Sequence, residues 1–150
     1  MAFLFAVAAA TVPDRLSSQT ARQSAAEQSA IRIAVVVESD DDGAMISALS
    51  YAVSRARRAA SRQERLTMQV VAHGKGLRFL RVDNSPVIRR LMFAANSFPS
   101  ITFTACEWTT KSIAKREGER PTILPQAAFT PAGPKLVKKL EEDGWMIVRY

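Results

Sequence analysis

The alternation of apolar and polar segments along the chain predicts strands separated by helices. Ile31–Val37 is a nearly continuous run of β-branched and other apolar residues, IRIAVVV. Such a run is typical of a strand buried on both faces of a parallel sheet. Further apolar runs predict four more strands, the fourth along the chain being the weakest, at residues 65–73, 101–106, 123–131 and 145–150.

Helical spacing of apolar residues marks the segments between these strands. In residues 44–60 a stripe suited to the core is formed by Met45, Leu49, Ala52, Val53 and Ala56. Three further helices are predicted over residues 85–96, 109–117 and 132–144. Strands and helices therefore alternate from residue 31 to residue 150. This order predicts an α/β fold, a three-layer α/β/α sandwich around a mostly parallel five-stranded sheet.

Polar residues indicate where two of the helices begin. Ser39 and Asp40–Asp42 follow the first strand, where they can cap the next helix and complement its positive end. A metal site in this acidic run is less well supported, because the calcium-binding loop spacing is missing. Pro86 suits the first turn of its helix after a cap at Asn84 or Ser85.

Residues 1–30 differ in composition from the domain predicted over residues 31–150. Residues 11–30 are rich in Ser, Gln and Ala and predict a tail outside the core. Residues 1–10 have a short apolar run with Ala8 and Ala10 in an A-x-A arrangement, as in a secretory signal, but no basic residue comes before Arg15. Both a cytoplasmic and a periplasmic location therefore stay open.

Composition narrows the classes of function. The chain has one cysteine and one histidine among 150 residues, which excludes an internal disulfide and a Cys/His zinc cluster. No apolar run reaches the roughly 20 residues of a membrane span. The net charge of +7 favours an anionic partner. Specific nucleic-acid binding ranks low, because the basic residues are scattered and no aromatic platform lies among them.

The carboxyl ends of the predicted strands carry the residues best suited to chemistry. Ligands of open α/β sheets bind beyond these ends. Asp40 follows the first strand, His73 with Gly74 and Gly76 follows the second, and Cys106 ends the third. The HGKG segment lacks phosphate-loop spacing, so no cofactor is predicted. A single histidine at a strand end is also compatible with a purely structural role.

Two interpretations of Cys106 remain open from the residues alone. A helix that starts just after it, capped by Thr109 or Thr110, would favour the thiolate and lower the thiol pKa. Glu107 would oppose this effect as an adjacent negative charge. The alternative is a small buried apolar residue, which is common for free cysteine.

Four segments in order resemble the DsrE-like proteins of intracellular sulfur oxidation and sulfur relay. They are VVESDDDGAMISALSYA, VVAHGKGLRFL, ITFTACEWTTKS and LPQAAFTPAGPKLVKKLEEDGWMIVRY, which together cover about residues 31–150. The family shows an acidic turn after a strand, then V-A-H-G-x-G, A-C-x-N-T, L-P and a final G-W-A-Y. The resemblance implies a three-layer sandwich of flavodoxin-like appearance and a homo-oligomer, as a trimer or hexamer.

The resemblance also implies a function for Cys106. In the family the matching cysteine carries sulfur as a persulfide between a donor and an acceptor protein, and His73 matches the family histidine. Trp108 stands where the family often has Asn, which implies a narrower or more apolar pocket here, with Thr109 beside it. A different class of function, a non-catalytic oligomeric binding module with a structural cysteine, is the alternative that thiol reactivity would distinguish.

Overall fold

One sheet of parallel strands organises the domain in the computed structural model, which describes residues 30–150. Its strands are β1 (Ile31–Val37), β2 (Leu66–Ala72), β3 (Ile101–Cys106), β4 (Ala128–Thr130) and β5 (Met146–Arg149). Their order in the sheet is β4-β3-β2-β1-β5, and every neighbouring pair is parallel. The signal-like segment at residues 1–10 lies outside the described residues.

Helices connect the strands. They are α1 (Asp42–Ser61), α2 (Ile88–Ser97), α3 (Glu107–Glu117) and α4 (Gly133–Glu142), with a 3₁₀ helix at Gly74–Leu80. The predicted α/β fold is thereby confirmed, with the sheet fully parallel. No helix within residues 30–150 combines the length and apolar character needed to cross a membrane.

The direction of the chain across the sheet decides which face each helix covers. From β1 to β4 each connection moves outward in the same direction, and the chain then returns to place β5 beside β1. Since parallel crossovers are right-handed, α1, α2 and α3 share one face, and α4 must cover the other. The two apolar clusters agree with this, because Ile113 of α3 joins the larger cluster and Val137 of α4 joins the smaller one.

The interior strand β1 is buried on both faces, as its composition requires. Ile33, Val35 and Val37 pack toward α1 and the larger cluster. Ala34 and Val36 pack toward α4. Each fully buried Val or Ile side chain contributes about 1.5–3 kcal/mol relative to an exposed one. The sheet is therefore fixed most firmly at β1 and β2, beside the strand ends that carry the polar residues.

The helix starts differ in part from the predictions. Asp41 caps α1, its Oδ2 atom accepting from the Ala44 amide at 2.8 Å, as the acidic run predicted. The start predicted at Pro86 is wrong, because α2 begins at Ile88, where Val87 precedes it with no side-chain cap. Two further differences are the 3₁₀ helix, which the sequence did not predict, and β4, which covers only Ala128–Thr130 of the strand predicted over residues 123–131.

The cap predicted for α3 is also wrong. This helix follows β3 without a loop and begins at Glu107, so Cys106 itself occupies the capping position. Thr109 and Thr110 lie inside the first turns and are buried. The Thr110 hydroxyl donates to the Cys106 carbonyl oxygen at 2.9 Å, a bond within the helix.

Candidate functional site

The register of the sheet places His73 beside Cys106. Strands β2 and β3 are neighbours, and Ala72 is aligned with Ala105. The next residues, His73 and Cys106, therefore stand side by side at the carboxyl edge. Because side chains alternate along a strand, both point to the face that α4 covers. The two chemical groups that the sequence singled out are thus brought together.

The sulfur of Cys106 lies at the starts of two helices. Cys106 immediately precedes α3, and its Sγ atom accepts a hydrogen bond from the Gly133 amide at 3.2 Å. Gly133 is the first residue of α4. Helix N-termini carry partial positive charge, so both favour an anionic sulfur. Without a loop between β3 and α3, the sulfur is held closely against the first of these ends.

Thr109 connects the sulfur to the segment after β2. Its Oγ1 atom accepts from the Gly74 amide at 3.1 Å, which leaves its hydroxyl proton free for the sulfur. Burial raises the pKa of the Cys106 thiol, but hydrogen bonds from the Thr109 hydroxyl and the Gly133 amide lower it by more, and the first turn of α3 adds to them. The net effect is a pKa below the ordinary value, as a reactive thiol requires.

Glycine at position 133 permits the close approach of α4 to His73. A Cβ atom at this position would lie 2.7 Å from His73 Cβ and 3.1 Å from its Cγ. A side chain would therefore push the histidine or the helix away. The position of the missing Cβ atom of Gly133 faces the His73 side chain, and the Gly133 amide donates to Cys106 Sγ. Gly133 therefore lies between the two residues.

His73 also faces a charged pair on its other side. Its Nε2 atom lies 3.2 Å from Glu38 Oε1, a contact without hydrogen-bond geometry. Arg149 donates to the same carboxylate at 2.9 Å. Burial is the largest effect on the His73 pKa and lowers it; Glu38 raises it and Arg149 lowers it, and the net direction is downward. Burial therefore favours the neutral form of His73.

A cavity of about 460 Å³ opens from the sulfur to the surface. Its lining is His73, Gly74, Cys106, Trp108, Thr109, Ala132, Pro134 and Lys135. The Cys106 residue is 1% exposed, whereas Trp108 at the rim is 71% exposed. Lys135 and His73 are the basic side chains of this lining, which has no carboxylate. The cavity therefore brings a mostly apolar passage up to Cys106, which is itself almost fully buried.

Asp40 belongs to a second cavity, of about 380 Å³, on the other side of the Gly74–Thr109 hydrogen bond. Four basic side chains line it: Lys75, Arg78, Arg81 and Arg116. All three guanidinium groups already have carboxylate partners: Arg78 is paired with Asp42, Arg81 with Asp83 and Glu117, and Arg116 with Glu117. Asp40 is thus separated from the sulfur.

Two other residues singled out from the sequence line neither cavity. A Cβ atom at Gly76 would lie 2.0 Å from the carbonyl oxygen of Val37, so this glycine lets the 3₁₀ helix pack on the end of β1. The Glu107 carboxylate accepts hydrogen bonds from Nη1 and Nη2 of Arg120, at 3.0 Å and 2.7 Å. Its charge is thereby largely compensated, and it opposes the Cys106 thiolate less than its position suggested.

Sequence reasoning missed Glu38, Gly133, Lys135 and Arg149. Gly133 lies in the AGP segment before a helix, where a glycine has several ordinary explanations. Glu38 and Arg149 are far apart along the chain and meet only because β5 lies beside β1. No local signal in the sequence could have joined them.

Among residues 30–150, no three His, Cys, Asp or Glu side chains are placed to share a metal ion.

Comparison with known proteins gives support for the fold and no information on function. No family model matches the chain, and no curated protein matches it. Among solved structures, the chain is similar to the protein of unknown function MTH1491 from Methanobacterium thermoautotrophicum, with 20% identity and a TM-score of 0.64. The match covers 80% of this chain and 99% of that one. The same α/β architecture therefore occurs in another protein at low sequence identity.

Proposed function

We propose that the protein is a sulfur carrier of the DsrE-like kind, which holds a persulfide on Cys106 and passes it to a partner. The observation that supports this most strongly is the position of the sulfur. The sulfur accepts a hydrogen bond from the Gly133 amide at the start of α4 and faces a cavity open to solvent. Cys106 also directly precedes α3. A carrier needs a stabilised thiolate and a route to it, and this site offers both.

The proposed cycle consists of two thiol–disulfide-type exchanges. The Cys106 thiolate attacks the terminal sulfur of a donor hydropersulfide, R–S–SH. A new S–S bond forms on Cys106, the donor S–S bond breaks, and R–S⁻ leaves. An acceptor thiolate then attacks the terminal sulfur and receives it as its own persulfide, which restores the Cys106 thiolate. One sulfane sulfur moves in each step, with no net oxidation.

The neighbouring groups have separate roles in this proposal. The Gly133 amide and the Thr109 hydroxyl stabilise the anionic sulfur before and after loading. His73 lies between Gly133 and Glu38 and forms part of the cavity wall. Because its neutral form is favoured, it does not form a tight ion pair with the anionic sulfur. Trp108, in place of the family asparagine, gives the entrance a broad apolar surface. A donor must pass this ring to reach the sulfur, which favours small or slender donors.

A structural cysteine in a non-catalytic binding module is the second candidate, because Cys106 is only 1% exposed and its sulfur already has a hydrogen-bond partner. In that case the cavity would hold a small ligand whose chemistry does not involve the thiol. Burial and hydrogen bonding of this kind are ordinary for a free cysteine.

Intact-protein mass spectrometry after incubation with polysulfide, or with thiosulfate and a rhodanese, separates the two candidates. The carrier gains the mass of one sulfur, and reductant removes it. Cys106→Ser, which keeps a small polar side chain at the same place, must gain nothing. Absence of the gain, together with resistance of folded Cys106 to iodoacetamide, would refute the carrier function and favour the binding module.

The partners in this proposal are a sulfur donor and a sulfur acceptor outside the chain. Since the sequence has one cysteine, the acceptor is another protein, a small thiol, or Cys106 of another copy. We also propose a homo-oligomer, a trimer or hexamer, because both edge strands present large apolar side chains, Phe129 of β4 and Met146 of β5. A single monomeric boundary in sedimentation velocity at micromolar concentration would refute it.

A further inference from the structure

A groove between α1 and α2 lies on the sheet face opposite α4 and shares no residue with the cavity at Cys106. Its volume is about 510 Å³, and it is lined by Leu49, Ser50, Val53, Ser54, Arg57, Arg89, Arg90 and Phe93. We propose that this α1–α2 groove binds an acidic amphipathic helix of a partner protein. The proposal is independent of the sulfur chemistry at Cys106.

The floor and one wall of the groove are apolar. Leu49 is fully buried beneath it, Val53 is half-buried, and Phe93 stands 60% exposed beside them. Ile46, 43% exposed, lies one turn before Leu49 and Ser50 on α1 and extends the strip toward the start of that helix. An exposed phenylalanine next to an aliphatic floor is the kind of pocket that anchors side chains of a bound helix.

The rim of the groove is strongly basic. Arg57 comes from α1, and Arg89 and Arg90 come from α2. Within residues 30–150 none of these three guanidinium groups forms an ion pair, whereas Arg55 and Arg62 nearby both lie close to Glu64. Arg90 donates only to the Ser50 hydroxyl, at 3.3 Å, and Arg57 lies over the Phe98 ring. The three charges are therefore available to an anionic partner, and arginine forks match carboxylates particularly well.

An acidic helix fits these features better than the other anionic or apolar occupants. A second copy of this chain would bring three more arginines against the same rim, so like charges would oppose the contact. A nucleic-acid backbone would satisfy the arginines but leave the apolar floor unused. A flat bilayer surface would not fill a concave groove. Only a ligand with apolar anchors flanked by carboxylates complements the floor and the rim together.

Fluorescence anisotropy with a defined peptide tests the proposal. The probe is a labelled peptide of about 15 residues, long enough for partial helicity, with Leu at one helical face and Glu elsewhere. A scrambled peptide of the same composition is the control ligand. Phe93→Ala removes the exposed wall, and Arg89→Glu reverses one rim charge. Lys138→Glu is the matched control, because it makes the same charge change at an exposed position of α4, on the other face of the sheet.

We expect saturable binding that is weakened about tenfold or more by Phe93→Ala, by Arg89→Glu and by scrambling of the peptide. Lys138→Glu should change it less than about twofold. Equal binding of the scrambled peptide, or equal competition by a DNA duplex with no effect of Phe93→Ala, would show that the groove recognises charge alone and would overturn the proposal. So would dissociation of an oligomer by Phe93→Ala, because the groove would then be a contact between copies.

Discussion

Replacing Thr109 with valine should raise the pKa of Cys106 while keeping the volume of the side chain. The Thr109 hydroxyl accepts from the Gly74 amide at 3.1 Å and favours the Cys106 thiolate by hydrogen bonding. Hydrogen bonds to charged groups contribute about 1.5–3 kcal/mol, and sulfur is a weak acceptor, so the lower end applies. The Cys106 thiolate should therefore lose about 1.5 kcal/mol of stabilisation relative to the thiol, and the pKa of Cys106 should rise.

The same substitution has a small cost in stability. The Gly74 amide loses its partner, which costs about 1–3 kcal/mol for a buried group. Gly74 is exposed, so water can replace the hydroxyl and the cost should be near 1 kcal/mol. Urea denaturation measures this term separately from the thiol chemistry.

The assay is the rate of iodoacetamide alkylation as a function of pH, followed by intact mass, since the chain has a single cysteine. Thr110→Val is the matched control. Its hydroxyl is equally buried but donates to the Cys106 carbonyl oxygen, not to the sulfur. If the two variants give the same midpoint for Cys106, the hydroxyl of Thr109 does not stabilise the thiolate and the reasoning fails.

Three further predictions concern the frame around the site. Gly76→Ala should lower the free energy of unfolding, measured by urea denaturation, by more than about 3 kcal/mol, because the added Cβ would meet the backbone of Val37. At Gly74 an added Cβ has open space, so Gly74→Ala should cost only about 1–2 kcal/mol, for the positive φ. The carboxylates of Asp83 and Glu117 have lowered pKa values, mainly because they accept hydrogen bonds from the Arg81 guanidinium group. Their stabilisation is therefore present above about pH 4 and lost as pH falls through the lowered values; Arg81→Leu should reduce this acid sensitivity. His73 has a lowered pKa, first because of burial, so its contribution is present above about pH 6.5 and lost on acidification; His73→Gln should flatten the stability profile there.

Each of these has a simple contrary result. Equal destabilisation by the two glycine variants would remove the argument from backbone contact. An unchanged acid limb of the thermal stability profile in Arg81→Leu would mean that its ion pairs contribute nothing in the folded protein. Identical slopes between pH 5 and 7 in wild type and His73→Gln would contradict a buried neutral histidine.

The main elements of the fold could be predicted because their signals are local. The runs IRIAVVV and ITFTAC gave β1 and β3 to the residue, since continuous β-branched segments have few other uses. The 3₁₀ helix GKGLRFL was not predicted, because Leu77, Phe79 and Leu80 follow neither strand nor helix spacing. Contacts with the end of β1, possible only because position 76 is glycine, determine its conformation.

The site could be predicted only in outline. Chemistry at strand ends is a general property of parallel sheets, and it identified Cys106 and His73 as candidates at one edge. Their adjacency depends on the order and register of β2 and β3, which no single segment encodes. The same holds for Gly133, whose amide reaches the sulfur across 27 residues of sequence separation.

The late position of α4 along the chain also bears on when the surroundings of the sulfur are complete. A ribosome delivers β1, β2 and β3 before α4, which packs against β1, β2 and β5. Until α4 has docked, the Gly133 amide is not held at the sulfur, and Cys106 lacks one of the hydrogen bonds that lower its pKa. The lowered pKa of the thiol is therefore coupled to the docking of α4, so a chain that is unfinished or locally unfolded there has only part of this effect.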